Sequence, residues 1–292
     1  MLKLEDYIVR AIDEKGTIRL LVASSTNIVE EARKTHNTSA SATAALGRTL
    51  TASSIMGLMM KGDEDTLTLQ IKGNGPLGKI VTVSNSLGKV KGYVDNPVAD
   101  LPSKSKGKLD VGGVVGKDGI LTVIRDLGLK EPYIGQSNLI SGEIAEDLTY
   151  YFANSEQQPS VVSLGVLVDV DLSVKAAGGY ILQLLPEVSG EDIDRIEKNI
   201  KKSKPISTMI DNGYTPEKII DEVFGDFNME ILEKHHIYYE CDCSKERVEK
   251  ALVSLGKKEI EDIIKEDGGA EIVCHFCNKK YNFGEEELKS LF

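Results

Sequence analysis

The chain has 292 residues, a formal net charge of −11 and a pI near 5.0. That length allows one large domain or two modest ones with a real core, and the acidity argues against a surface built to grip nucleic-acid phosphates. No apolar run approaches the ~18 residues that a membrane span needs, and Met1-Leu2-Lys3-Leu4-Glu5-Asp6 lacks the basic and apolar regions of a signal peptide.

Residues 1–60 open with strand-like runs, Tyr7–Ile12 and Thr17–Ala23, separated by Glu14-Lys15-Gly16. Helices are expected over Ile28–Thr35 and Ser39–Met60, the second rich in Ala, Ser and Thr with Leu46, Leu50, Ile55, Leu58 and Met59 as a core stripe. From 65 to 125 short strands alternate with glycine turns: Thr66–Lys72, Lys79–Ser84, Lys89–Val94 and Ile120–Arg125. Gly73, Gly75 and Gly78 spell G-x-G-x-x-G, but Lys79-Ile80-Val81-Thr82-Val83 reads as a strand. Without a helix N-terminus there is no phosphate site, and a hairpin turn is expected instead. The glycine-rich run from Val111 to Asp118 lacks the G-K-[ST] ending of a P-loop.

Ser141 to Ser155 reads as an amphipathic helix with Ser141 as N-cap, and its Glu146/Asp147 pair as a solvated face. Strands are expected over Val161–Val170 and Tyr180–Leu185, with Gly178-Gly179 before the second. Their near-continuous apolar runs suggest a sheet buried on both faces. Residues 1–186 therefore form an α+β core, a mixed α/β unit with buried sheets.

In 187–204, ten of eighteen residues are charged, and Ile193, Ile196 and Ile200 are the only apolar stripe, so this helix should dock weakly. Thr215 as N-cap and Pro216 at the first position start another helix that runs to about Val223. Phe224, Phe227, Met229, Ile231 and Leu232 supply the remaining apolar grip. The segment 187–232 is expected to be a marginal helical linker.

Residues 233–292 hold all four cysteines: Cys241 and Cys243 in a C-x-C, then Cys274 and Cys277 in a C-x-x-C. Four thiolates that converge on one point make a closed tetrahedral site, and a sulfur-only set suits Zn²⁺, although an iron site takes the same ligands. Helices from Ser244 to Gly256 and around Ile260, Ile263 and Ile264, then a hairpin from Glu271–Val273 and Lys280–Phe283, surround it. So small a core needs a staple, and zinc supplies one. His235, His236 and His275 are read as bystanders. Acidic residues outnumber basic ones 14 to 10 in this segment, which does not suit a nucleic-acid ribbon. Metal-spaced cysteines and no others fit a reducing compartment, the cytoplasm.

The C-x-C is not the usual zinc-finger spacing. In an extended chain its Cα atoms stand about 6.6 Å apart, near the upper limit for a disulfide, so such a bond would be strained and easily reduced. Spacing alone leaves a structural zinc ribbon and a redox switch both open, and four cysteines allow three pairings. An enzyme with a structural ribbon would have to work without cysteine in the first 186 residues and with His36 as their single histidine.

Glu240-Cys241-Asp242-Cys243-Ser244 with Cys274-His275-Phe276-Cys277-Asn278 resembles the zinc centre of the redox-regulated heat-shock chaperones of about thirty-three kilodaltons, a bacterial holdase family. Gly92-Tyr93-Val94-Asp95-Asn96-Pro97, the run Ser141–Phe152, Ala176-Ala177-Gly178-Gly179-Tyr180 and Glu266–Glu271 extend the resemblance over nearly the whole chain. The resemblance implies an ATP-independent holdase with no catalytic residues, inactive while reduced and zinc-bound. It implies activation by oxidation, with disulfides Cys241–Cys243 and Cys274–Cys277, zinc release and unfolding of the linker. Unfolded client proteins and a homodimer of the active form are the implied partners, with no nucleic acid or membrane.

Overall fold

In the computed structural model, residues 5–105 and 107–292 are described. Residues 1–4, which opened the stretch searched for a leader, and residue 106 lie outside them. By contacts the chain divides into two units, one ending at Tyr239 and the other running from Glu240 to Phe292.

The first unit starts as a hairpin, β1 (Tyr7–Ile12) and β2 (Ile18–Ser24), paired antiparallel. Its turn closes on Asp13, whose carboxylate accepts from the Thr17 and Ile18 amides at 2.6 Å, while Gly16 takes φ +71°. Helix α1 (Thr26–His36) ends at Asn37 in the left-handed region, and α2 (Ala40–Gly57) is capped by the Ser39 hydroxyl. The expected helix to Met60 stops at Gly57, where an added Cβ would lie 2.8 Å from the Asn85 carbonyl oxygen. Nor does α2 carry a stripe. It is buried on nearly every side because its Ala, Ser, Thr and Gly residues let two sheets approach its backbone. The hydroxyls of Thr49, Thr51 and Ser54 bond back to carbonyls one turn earlier, so they can be buried at little cost.

Strands β3 (Thr66–Lys72), β4 (Lys79–Asn85) and β5 (Lys89–Val94) follow as an antiparallel meander. The G-x-G-x-x-G is the β3–β4 turn, as expected. It lies against a short helix absent from the sequence reading, α3 (Val111–Val115). The Gly75 and Leu77 amides donate to the Val115 and Val114 carbonyls, and a Cβ on Gly73 would come within 2.2 Å of one of them. Thus both glycine-rich stretches exist to pack on each other. β6 (Ile120–Asp126) pairs with β3, and β7 (Tyr133–Asn138), also unexpected, pairs with β6.

Helix α4 (Ala145–Asn154) starts later than expected. Ser141 is not its N-cap: Ile144 is, at φ +65°, and Asp147 is not solvated but fully buried. Its carboxylate accepts the Ile140, Ser141 and Ile144 amides at 2.7–3.1 Å, which fixes the entry into the helix. Glu146 alone keeps the exposed position foreseen for the pair. β8 (Ser160–Val168) and β9 (Val174–Leu184) form a hairpin in which Gly178 and Gly179 lie inside β9 rather than before it. A Cβ there would meet the carbonyl oxygens of Ala23 at 2.3 Å and Ser163 at 2.5 Å.

Three helices then cover the outer face of this sheet: α5 (Gly190–Lys202), α6 (Ile206–Asp211) and α7 (Pro216–Phe224), the last capped by Thr215 with Pro216 at its first position. The chain returns as β10 (Glu230–His236) on the edge beside β1, and β11 (Tyr238–Tyr239) runs parallel to β5. The result is a five-stranded sheet, β10-β1-β2-β9-β8, and a six-stranded one, β11-β5-β4-β3-β6-β7. The main core lies between them around α2, and a second core lies between the five-stranded sheet and α5–α7. That sheet is buried on both faces, as its apolar runs required.

The segment 187–232 is therefore not separate from 1–186 in its contacts. Its docking is uneven: α7 buries Ile219, Ile220, Val223 and Phe224, whereas α5 buries only Ile196 among its isoleucines. Ile231 and Leu232 do not grip the core. They sit exposed on the edge strand β10, at 47% and 52% of full exposure.

The second unit contains α8 (Lys245–Leu255), α9 (Lys257–Asp267), the hairpin β12 (Gly269–Val273) and β13 (Lys280–Gly284), and α10 (Glu285–Lys289). Its core is small, with Leu252, Ile260, Tyr281, Phe283 and Leu288 buried.

Candidate metal centre

The centre is built by two short backbone devices. Ser244 caps α8 by accepting the Arg247 amide, and Arg247 returns an ion pair to Asp242, so Cys241-Asp242-Cys243 is anchored just before a helix. Opposite, the β12–β13 turn carries Cys274 and Cys277. The Cys274 amide donates to the Lys279 carbonyl at 2.9 Å, the Asn278 amide to the Cys274 carbonyl at 2.8 Å, and Asn278 sits at φ +57°. This tight turn points both sulfurs to one side.

The four sulfurs meet within 4.8 Å of one another, each on a half-buried residue. Cys241 Sγ lies 3.7 Å from Cys274 Sγ, and Cys243 Sγ 3.3 Å from Cys277 Sγ. Among the described residues this is the cluster suited to holding a metal ion, and no histidine belongs to it. His235 instead contacts Glu233 at 2.7 Å, and His236 lies 3.6 Å from Glu5. The donor set fits a soft or borderline-soft cation: four sulfurs can complete a tetrahedron with no open position for a substrate.

Without a metal, Cys241, Cys243 and Cys277 differ in how readily they lose a proton. Burial pushes the Cys241 thiol up, against a hydrogen bond from the Cys243 amide, and burial raises Cys277 as well. Burial acts on Cys243 in the same direction, but hydrogen bonds from Tyr281 and the neighbouring thiols outweigh it and bring this group down to about 7. Of Cys241, Cys243 and Cys277, Cys243 is thus the one held lowest. The Tyr281 hydroxyl donates to it at 3.1 Å, from a ring that also belongs to the unit's core. Tyr281 was not singled out from the sequence, and Asn278 appeared there only as the end of the C-x-x-C stretch. The signal was present in principle, as an aromatic residue and an asparagine just after a C-x-x-C, but nothing in spacing says that a phenol reaches back across the site.

The family model described as Hsp33 protein matches residues 6–284. The chain belongs to the Hsp33 family. Proteins named 33 kDa chaperonin are similar throughout: that of Clostridioides difficile is 53% identical over 285 residues, 98% of either chain. That of Alkaliphilus oremlandii is 50% identical over 288 residues, 99% of this chain and 96% of the relative. The crystal structure of the 33 kDa chaperonin, or heat shock protein 33 homolog, of Thermotoga maritima superposes with a TM-score of 0.90 at 43% identity. The match covers 99% of this chain and 98% of that one. This Hsp33 protein is thus a chaperone, a class that acts by binding client proteins rather than by catalysis. No helix among its described residues is long and apolar enough to cross a membrane.

Proposed function

We propose that this Hsp33 protein is a cytoplasmic, ATP-independent holdase switched on by oxidation. The observation that carries the reading is the closed four-sulfur cluster in a unit whose own core is small. In the resting state Cys241, Cys243, Cys274 and Cys277 hold one Zn²⁺, which supplies the folding energy that five buried side chains cannot. Thiolates are the species that peroxide or hypochlorite attacks. Their oxidation to Cys241–Cys243 and Cys274–Cys277 removes the ligands, releases the metal and unfolds the unit.

The same reading gives α5 and the edge strand β10 a role. α5 is the least deeply seated of the three helices over the sheet, and β10 leads by chain into the metal-binding unit. Opening of this segment would uncover the second core, whose apolar side chains can hold an unfolding protein. A homodimer of the activated form belongs to the same proposal.

The test is aggregation suppression by oxidised and reduced protein, with zinc release followed in the same sample and disulfides mapped by mass spectrometry. Zinc release, the two local disulfides and suppression should appear together. Suppression that is equal in the reduced, zinc-loaded protein, or a dominant Cys243–Cys274 bridge, overturns the switch.

A further inference from the structure

Half of the six methionines of the chain stand in the run 56–60, at the end of α2. Met56, Met59 and Met60 line one pocket of about 440 Å³, with Leu127 and Phe152 as its other apolar walls. Arg19 and Lys61 place cationic N–H donors around the same pocket, where Arg125 is paired with Glu156 and Asp65 also lines the wall. Met56 is buried, at 2% of full exposure, whereas Met59 and Met60 are half-buried and pack against the main core. Beyond the helix their amides make turn hydrogen bonds, that of Met59 to the Met56 carbonyl and that of Met60 to the Gly57 carbonyl. Two thioethers are therefore open to a small reagent, at a place where the backbone can yield, beside groups that can solvate an added oxygen.

We propose that Met59 and Met60 are a second oxidation site, independent of the cysteines, whose sulfoxides open this pocket as an apolar patch on the first unit. With a hydroperoxide as oxidant, the thioether lone pair attacks one peroxide oxygen. An S–O bond forms as the O–O bond breaks, and the departing oxygen takes the proton and leaves as water (or as the alcohol of an organic peroxide). Sulfur loses two electrons and the peroxide gains them. The sulfoxide is polar and accepts hydrogen bonds, so it is stable facing Arg19 and Lys61 and costly against the core. Each sulfur thus turns outward and uncovers the buried Phe152 beside Leu127, which is already exposed. Thiol reductants do not reverse this change, but methionine sulfoxide reductases do.

The experiment treats zinc-loaded wild-type protein with hydrogen peroxide in excess over its thiols, then restores thiols and zinc before any readout. Disulfides contribute nothing at that point, so the outcome is separate from that of the cysteine switch. Peptide mapping should find one oxygen on each of Met59 and Met60, with Met56, buried in the main core, still a thioether. The restored protein should bind several-fold more of an apolar-surface dye than untreated protein, and sulfoxide reductases A and B should remove the excess. The double variant Met59→Leu/Met60→Leu conserves volume and so keeps the fold, and it should show no rise. Unmodified Met59 and Met60 in a sample where the half-buried Met229 carries oxygen overturn the site. An equal dye rise in the double variant overturns its consequence.

Discussion

Arg10 ties the edge strand β10 to the end of α2. Its guanidinium lies 2.5 Å from the Glu233 carboxylate and donates to the Leu58 carbonyl just past the helix. The pair sits at the β1–β10 register position Arg10↔Glu233, next to the bulge between Arg10 and Ala11. A cation at a helix C-terminus is worth about 0.3–1 kcal/mol, and a partly exposed ion pair adds about 0–1 kcal/mol. Glu233→Gln should therefore change global stability by less than about 1 kcal/mol. It should nevertheless raise hydrogen exchange along 230–236, because among the described residues β10 has a strand on only one side. Arg10→Met, which also removes the donor to Leu58, should have the larger effect. Equal protection of β10 in both variants and wild type would mean that the pair does not latch the strand.

Loss of the metal should separate the two units thermodynamically. Structural zinc contributes on the order of 10–16 kcal/mol in small peptides. Any single Cys→Ser change at 241, 243, 274 or 277 should reduce zinc occupancy by elemental analysis. It should also abolish protected amides over 240–292, while strands β2 to β9 of the first unit keep theirs. Zinc at full occupancy after replacement of all four cysteines would refute the assignment.

The features that could be read in the sequence were those with local chemistry. Thr215-Pro216 at the start of α7, Ser244 and Gly256 at the ends of α8, and the four cysteines all carry their reason within a few residues. The features that could not be read depend on distant partners. Gly178 and Gly179 are in a strand because Ala23 and Ser163 backbones leave no room for a Cβ. Asp147 looks like a surface acid until the loop at Ile140–Ile144 folds over it. β10 is masked because Glu230, Glu233, Lys234, His235 and His236 give it a polar composition, and its apolar Ile231 and Leu232 remain exposed. The four sulfurs were foreseen as a set, but the phenol that bonds to Cys243 was not.

That phenol should tune the reactivity of the centre. A hydrogen bond to a ligating sulfur withdraws electron density from it and makes it a weaker nucleophile. Tyr281→Phe keeps the ring in the unit's core and deletes only the donor to Cys243. The variant should bind zinc in the same ratio, yet release it several-fold faster under peroxide. An unchanged release rate at unchanged occupancy would show that the hydroxyl is only a packing feature.

Ile196 offers a way to open the second core without touching a cysteine. It is the one isoleucine of α5 with 2% exposure, while Ile193 and Ile200 remain half-buried. The polar contacts of the helix are few: Arg195 and Asn199 reach Asp226, and the exposed Lys15 ammonium donates to the buried Asp192. Large-to-small changes at buried apolar sites cost about 2–5 kcal/mol, and a serine hydroxyl left unpaired adds to that. In Ile196→Ser the cost falls on a helix with little else to hold it, so α5 should lose protection before α7, which keeps four large buried side chains. If the sheet face under α5 contributes to client binding, this variant should suppress aggregation while still reduced and zinc-loaded. Hydrogen exchange and light scattering on the same sample decide it. Exposure of α5 with no gain in suppression places the client surface elsewhere on the protein.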